Sequence, residues 1–199
     1  RVIPVVKFLR KTYPELILSV DTFRSEVARN CLDLGIDIIN DISAGCIDKN
    51  ILDVVAEYNC PYIMMHMKGT PQTMQINPEY ENLIKELLIY FAKRIYLARE
   101  KGIIDIIVDP GFGFGKTLDH NYTIMKKIEN FKLLDLPILV GISRKSFITK
   151  QLDIDKKDSL NGTTALNMYF LEKNINILRV HDVKEAKECI MLHEKIKSS

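Results

Sequence analysis

Six short apolar runs in this chain each end in a polar residue capable of chemistry. Residues 17–20 lead to Asp21, Ile38 and Ile39 to Asn40 and Asp41, and residues 62–65 to His66. Residues 106–108 lead to Asp109, residues 138–142 to Ser143, Arg144 and Lys145, and Ile177 and Leu178 to Arg179, His181 and Asp182. Between successive runs lies enough chain for a helix. Parallel strands buried on both faces read as continuous apolar runs, and their crossovers need a dozen or more residues. Ligands of such folds sit at the carboxyl ends of the strands. The pattern therefore predicts an α/β fold with a parallel sheet and a polar set gathered at strand ends. Periodicity leaves two architectures open. Six strands make an open doubly wound sheet, whereas two more upstream would close a (β/α)8 barrel.

One domain is the default for 199 residues, and a domain of that size buries roughly 70% of its extended surface without staples. With 28 basic and 26 acidic residues the net charge is +2, which gives no basic footprint for nucleic acid. Lys126-Lys127 and Lys156-Lys157 read as solvated faces. Cys31, Cys46, Cys60 and Cys189 lack zinc-ribbon or thioredoxin spacing, and His66, His120, His181 and His193 form no HExxH pattern. A zinc site is not expected. No stretch reads as a secretory leader and no apolar run approaches 18 residues. Free thiols in a reducing cytoplasm, with no membrane association, are the expectation.

Residues 1–10 have amphipathic helical spacing, with Pro4 tolerated in the first turn. A domain of this class rarely opens on such a helix, and the first residue is Arg1 rather than Met, so further sequence is expected upstream. The following helices are expected at 24–34 (closed by Gly35), 48–58 with Asp48 as N-cap, 80–101 (stopped by Gly102) and around 121–130. A short helix after Lys145, one at 160–173, and a last one at Val183–Lys197 complete the set. Asp182 and Glu185 have capping-box spacing.

The segment Gly111-Phe112-Gly113-Phe114-Gly115-Lys116-Thr117 is neither a Walker A loop nor a G-x-G-x-x-G fingerprint, because its glycines are misplaced for both. It reads either as a flexible turn or as a mobile binding loop presenting Phe112 and Phe114 to a flat ligand. Asp21 and Thr22 have the alternative of capping the next helix. Asp109, followed by Pro110, is the carboxylate best suited to accept from a ligand's N–H groups. Asn40 offers both donor and acceptor. His66 reads mainly as a core histidine, and Met65 as adaptable apolar wall. Ser143-Arg144-Lys145-Ser146 and Arg179-Val180-His181-Asp182 make two cationic clusters suited to an anion. The alternative is surface ion pairs of Arg144 and Arg179 with a nearby Asp. If Arg179 and His181 lie in a strand, they share one face.

With these residues assembled, the chain resembles the dihydropteroate synthase family. The likeness rests on Ser19-Val20-Asp21-Thr22, Ile39-Asn40-Asp41-Ile42, Met65-His66-Met67-Lys68-Gly69, Asp109-Pro110-Gly111-Phe112-Gly113-Phe114-Gly115-Lys116, Gly141-Ile142-Ser143-Arg144-Lys145-Ser146 and Arg179-Val180-His181-Asp182. The last three are the specific ones. The resemblance implies a TIM-type (β/α)8 barrel with the family's first two βα units absent, so that residues 1–199 form one incomplete pterin-binding domain of six units. It also implies a transferase of folate biosynthesis that joins p-aminobenzoate to 6-hydroxymethyl-7,8-dihydropterin pyrophosphate.

The family pattern assigns Asp21, Asn40, Ile42, Met65, Asp109, Phe114, Gly141, Lys145 and Arg179 to the pterin. Arg179 and His181 fall to the pyrophosphate, and Ser143, Arg144, Lys145 and Ser146 to the p-aminobenzoate side. Asp21, Lys145, Arg179 and His181 carry the catalytic roles. Mg2+ is the implied cofactor, its Asn ligand lying in the units absent here rather than in this chain. Sulfonamides are implied inhibitors, and a homodimer through the helices at 160–173 and Val183–Lys197 is implied as well. Because the absent units also help form the second substrate's site, the isolated chain is expected to be inactive. Two other readings compete: a pterin-dependent corrinoid methyltransferase, which has less use for the cationic clusters, and a non-catalytic pterin-binding module.

Overall fold

The computed structural model describes residues 1–74, 76 and 78–199. Helices and strands alternate as α1 (Val2–Thr12), β1 (Ser19–Asp21), α2 (Ser25–Leu32), β2 (Ile38–Asp41), α3 (Ile51–Tyr58), β3 (Tyr62–Met65), α4 (Leu83–Glu100) and β4 (Ile106–Asp109). They continue as α5 (Leu118–Lys126), β5 (Leu139–Val140), α6 (Ser146–Leu152), α7 (Leu160–Glu172), β6 (Ile177–Leu178) and α8 (Val183–Lys197), with 3-10 turns at Ile128–Leu134 and Lys156–Asp158. The chain forms two compact units, residues 1–66 with 89–108 and residues 67–88 with 109–199.

The first unit is built on a sheet in the order β1-β2-β3-β4. β1 runs parallel to β2 with Asp21 opposite Asn40, and β2 runs parallel to β3 with Asn40 opposite Ile63. Ile39, Ile51, Val55, Tyr62, Met64, Phe91 and Ala98 are fully buried around it. β3 is buried at every position, as a two-sided apolar run requires. β1 instead alternates exposed, buried, exposed, the pattern of a strand with one covered face. α3 starts at Ile51 after Asn50, two residues later than a cap at Asp48 implies. Asp48 Oδ1 still accepts from the Asn50 amide at 3.0 Å in the turn into the helix, while Oδ2 accepts from the amide and hydroxyl of Ser25, each at 2.7 Å.

The second unit contains the parallel pair β5-β6 and a core of Phe112, Ile124, Ile128, Phe131 and Phe170. The expected helix around 121–130 is divided into α5 and a 3-10 turn. Thr117 and His120 cap α5 reciprocally: Thr117 Oγ1 accepts from the His120 amide at 3.1 Å, and His120 Nδ1 accepts from the Thr117 amide at 3.2 Å. α8 has the expected bounds but no side-chain cap from Asp182. That carboxylate is held by Arg144, which outcompetes an exposed N-cap as a charge-assisted fork. The four cysteines are free, and only Cys46 is exposed. Among the described residues no helix is long and apolar enough to cross a membrane.

Candidate functional site

In the first unit the β1/β2 register sets Asp21 beside Asn40, and the Asn40 amide donates to Asp21 Oδ1 at 2.6 Å. Asn40 is buried, and its Oδ1 has no hydrogen-bond partner among the described residues. A buried acceptor left unmade costs about 1–3 kcal/mol, so this atom is poised for a donor from outside the chain. Asp21 is exposed and does not cap α2. Thr22 Oγ1 takes the Arg24 amide at 3.1 Å. Asp21, Phe23, Val27 and Ile42 help line a cleft of about 310 Å³.

The next residue, Asp41, is fully buried and saturated. It accepts from the Ser43 amide (2.8 Å), the Ser43 hydroxyl (2.7 Å), the Gly45 amide (2.6 Å) and the Tyr62 hydroxyl (2.6 Å). Arg94 Nε donates to the Ala44 carbonyl at 2.7 Å. The turn after β2 is thus fixed by its own carboxylate. Met65 is buried wall, and its carbonyl accepts from Tyr90 at 3.3 Å. His66 packs edge-on against Tyr90, ring centroids 4.8 Å apart, as a core histidine.

In the second unit, Asp109 is buried at the end of β4, where Oδ1 accepts from the Gly111 amide at 2.8 Å. Burial pushes its carboxyl upward; Lys145, the Gly111 bond, Lys116 and Arg179 pull it back down. Lys145 donates to the Phe112 carbonyl and stands 4.7 Å from the Phe114 ring centre. Burial lowers its ammonium to about 8 against the raising effect of Asp109.

The Gly-rich loop is clamped along its backbone. Lys116 Nζ donates to the Phe114 carbonyl (2.9 Å), Tyr80 to the Gly115 carbonyl (2.8 Å), and the Gly113 amide to Asn121 (2.7 Å). Gly115 has φ +60°, and a Cβ there would stand 2.9 Å from the Lys68 carbonyl oxygen. Only glycine fits that approach. Of the two aromatic residues expected near a ligand, Phe112 is core, 5.5 Å from Phe170 and 6.2 Å from Phe147. Phe114 is half-exposed against Lys145. The loop turns between them at Gly113, φ +80°, so the two rings part.

Beyond β5, Gly141 and Ser143 are buried. A Cβ at Gly141 would lie 3.8 Å from that of Arg179, so the Arg179 side chain runs beside it. Ser143 Oγ accepts from the His181 amide at 3.2 Å and pairs with His181 Nδ1 at 3.0 Å. Arg144 adopts φ +55° and directs its fork at Asp182, with Nε to Oδ2 at 2.9 Å. The expected ion pair of Arg144 with a nearby Asp forms. β6 ends at Leu178, so Arg179 and His181 stand on the exposed segment after the strand rather than on one strand face. Ser146 opens α6 and, with Lys116, Thr117, Asn121, Phe147 and Lys150, lines a cleft of about 280 Å³.

Sequence reasoning missed Lys116, which is 4% exposed and whose ammonium burial lowers to about 7 despite Asp109. The signal was a lysine closing a glycine-rich loop directly after an apolar strand. Among the described residues no group of three or more His, Cys, Asp or Glu could hold a metal ion.

Residues 1–181 match the model of a family described as pterin binding enzyme. The chain is 43% identical to the dihydropteroate synthase of Synechocystis over 187 residues, covering 92% of this chain and 64% of that one. It is 39% identical to the Escherichia coli K12 dihydropteroate synthase, covering 98% of this chain and 69% of that one. It superposes on a Yersinia pestis dihydropteroate synthase solved as a sulfonamide drug complex, with TM-score 0.95 and 34% identity, covering 100% of this chain and 72% of that one. The chain thus spans about two thirds of the length of these relatives. Its fold class is the (β/α)8 barrel class that the resemblance implied.

Proposed function

The chain belongs to the pterin-binding enzyme family, and from that premise we propose that its parent activity is dihydropteroate synthesis in the cytoplasm. The carbon–oxygen bond from the pterin methylene to pyrophosphate breaks. The amino nitrogen of p-aminobenzoate forms the new carbon–nitrogen bond and loses a proton, giving 7,8-dihydropteroate and pyrophosphate. No side-chain nucleophile is needed; positioning and charge neutralisation suffice. The observation that carries this reading is a buried strand-end carboxylate, Asp109, heading a loop whose carbonyls are held by the ammonium groups of Lys145 and Lys116. An ionised carboxylate matches the adjacent ring and amino N–H groups of a pterin.

In the same unit Lys145 is assigned to the ring carbonyl and Phe114 and Gly141 to the ring faces. Arg179 is assigned to stacking, and Arg179 with His181 to the pyrophosphate. Ser143, Arg144, Lys145 and Ser146 are assigned to the p-aminobenzoate side. The cleft beside Ser146 supports that side, and the Arg144–Asp182 fork gives Arg144 a positioning part in it. In the first unit the unpartnered Asn40 Oδ1, with Asp21, Ile42 and Met65, supplies its own pterin-recognising set. Asp21 is also assigned to favouring the positive charge that develops on the pterin as pyrophosphate leaves. Mg2+, when bound, would neutralise the charge of the leaving group. Sulfonamides would occupy the p-aminobenzoate side. A homodimer through α7 and α8 accords with exposed Met191, Leu192 and Ile196 on α8.

Calorimetry with 6-hydroxymethylpterin on this chain and on Asp109→Ala tests the reading. Loss of a charge-assisted acceptor costs about 1.5–3 kcal/mol of binding. Equal affinity for the two proteins removes Asp109 from the site.

A further inference from the structure

Lys116 is a buried cation with no part in the chemistry assigned above. Its Nζ reaches the Phe114 carbonyl at 2.9 Å, and it is 4% exposed. Lys145 holds the Phe112 carbonyl two residues earlier and supports the Phe114 ring. Two ammonium groups thus grip alternate carbonyls of one loop, and both act on the carboxylate at the loop's start. Tyr80 and Asn121 fasten the same loop without bringing a charge into it. The second buried charge therefore calls for an electrostatic reason, because desolvating an ammonium is expensive.

We propose that Lys116 is a positioning residue for pterin binding, holding the Phe114 carbonyl while lending Asp109 a second ammonium so that the carboxylate meets the ligand ionised. This rests on the pterin reading above. Lys145, Lys116 and Arg179 act on Asp109, and Asp109 and Lys145 act on Lys116. Lys116 carries its charge below about pH 7, the acid side on which a buried carboxyl is at risk of protonation. Removing it takes away one of the influences that lower the Asp109 carboxyl. Protonation then begins at higher pH, and the acid limb of ligand binding moves upward.

The experiment is calorimetry of 6-hydroxymethylpterin binding from pH 5 to pH 8.5 with the unmodified chain, Lys116→Met, Lys116→Gln and Asp109→Asn. Taking the ratio of affinities at each pH cancels the ligand's own titration. The expected result is that Lys116→Met binds about tenfold more weakly at the acid end, one unit of carboxyl shift, and converges on the parent above pH 8. Lys116→Gln keeps a donor for the Phe114 carbonyl without the charge, and is expected to show the same shifted limb. It carries the comparison should the Met variant fail to fold. A pH-independent ratio in whichever of these variants folds overturns the proposal, whatever the affinity. Parent-like binding by Asp109→Asn overturns the pterin reading itself, a separate outcome.

Discussion

β2 and β4 both end in a buried aspartate, and the two are held in opposite ways. Asp41 is saturated by four donors from Ser43, Gly45 and Tyr62. Asp109 takes a backbone bond from Gly111 and is also compensated by the cations of Lys145, Lys116 and Arg179. A carboxylate wrapped in its own chain's N–H and O–H groups is a structural fastener. One balanced by charge rather than by bonds keeps acceptor capacity for something else. Buried polar groups must be satisfied, so how each is satisfied separates scaffold from site better than burial does.

The largest effect that would break this contrast is on stability. Asp41→Ala strands the Tyr62 hydroxyl and two amides in the core, and is expected to cost about 3–5 kcal/mol in urea unfolding. A loss below about 1 kcal/mol would show that the wrapping is incidental. Asp109→Asn should do the reverse. Pterin affinity falls by about 1.5–3 kcal/mol, while the unfolding midpoint moves little because the Gly111 bond survives.

A pH series sharpens the comparison further. Lys116 and Lys145 have folded values depressed to about 7 and about 8. The unfolded chain then binds more protons above pH 7, and stability rises from pH 7 toward pH 9. The slope from one such lysine is at most about 1.4 kcal/mol per unit. Asp109, raised by burial, favours the folded state only on the acid side and loses that contribution as pH climbs through its folded value. Lys116→Met should flatten the alkaline rise; an unchanged slope would assign it to other groups. Smallest is Asp21→Asn, which alters an exposed partner of Asn40. Thermal unfolding is expected to stay within about 0.5 kcal/mol of the parent, and a larger loss would make Asp21 a fastener too.

Strand ends were legible because apolar runs and their terminating residues are local features. Asp21, Asn40, Asp109 and Ser143 stand where the runs stop, and α8 has the bounds its spacing predicts. What escaped depended on competition across the chain. Asp182 has the spacing of a cap but meets Arg144, whose left-handed backbone directs the fork toward it. Asp48 holds the turn into α3 through the Asn50 amide, yet its other oxygen serves Ser25 at the start of α2. Phe112 and Phe114 are indistinguishable as letters. One is core and the other lies over Lys145, because the loop turns through three glycines with positive φ. Lys116 was hardest to read, since a lysine's burial depends on what wraps it.

The chain has eight tyrosines and no tryptophan, and that gives each unit its own optical reporter. Tyr62 beside Asp41 and half-exposed Tyr90 belong to the first unit, Tyr80 to the second, and burial raises the phenol of each. In mild alkali these rings stay protonated, without phenolate absorbance, until their surroundings open. The near-ultraviolet absorbance of single Tyr→Phe variants would then show which half of the molecule loosens first.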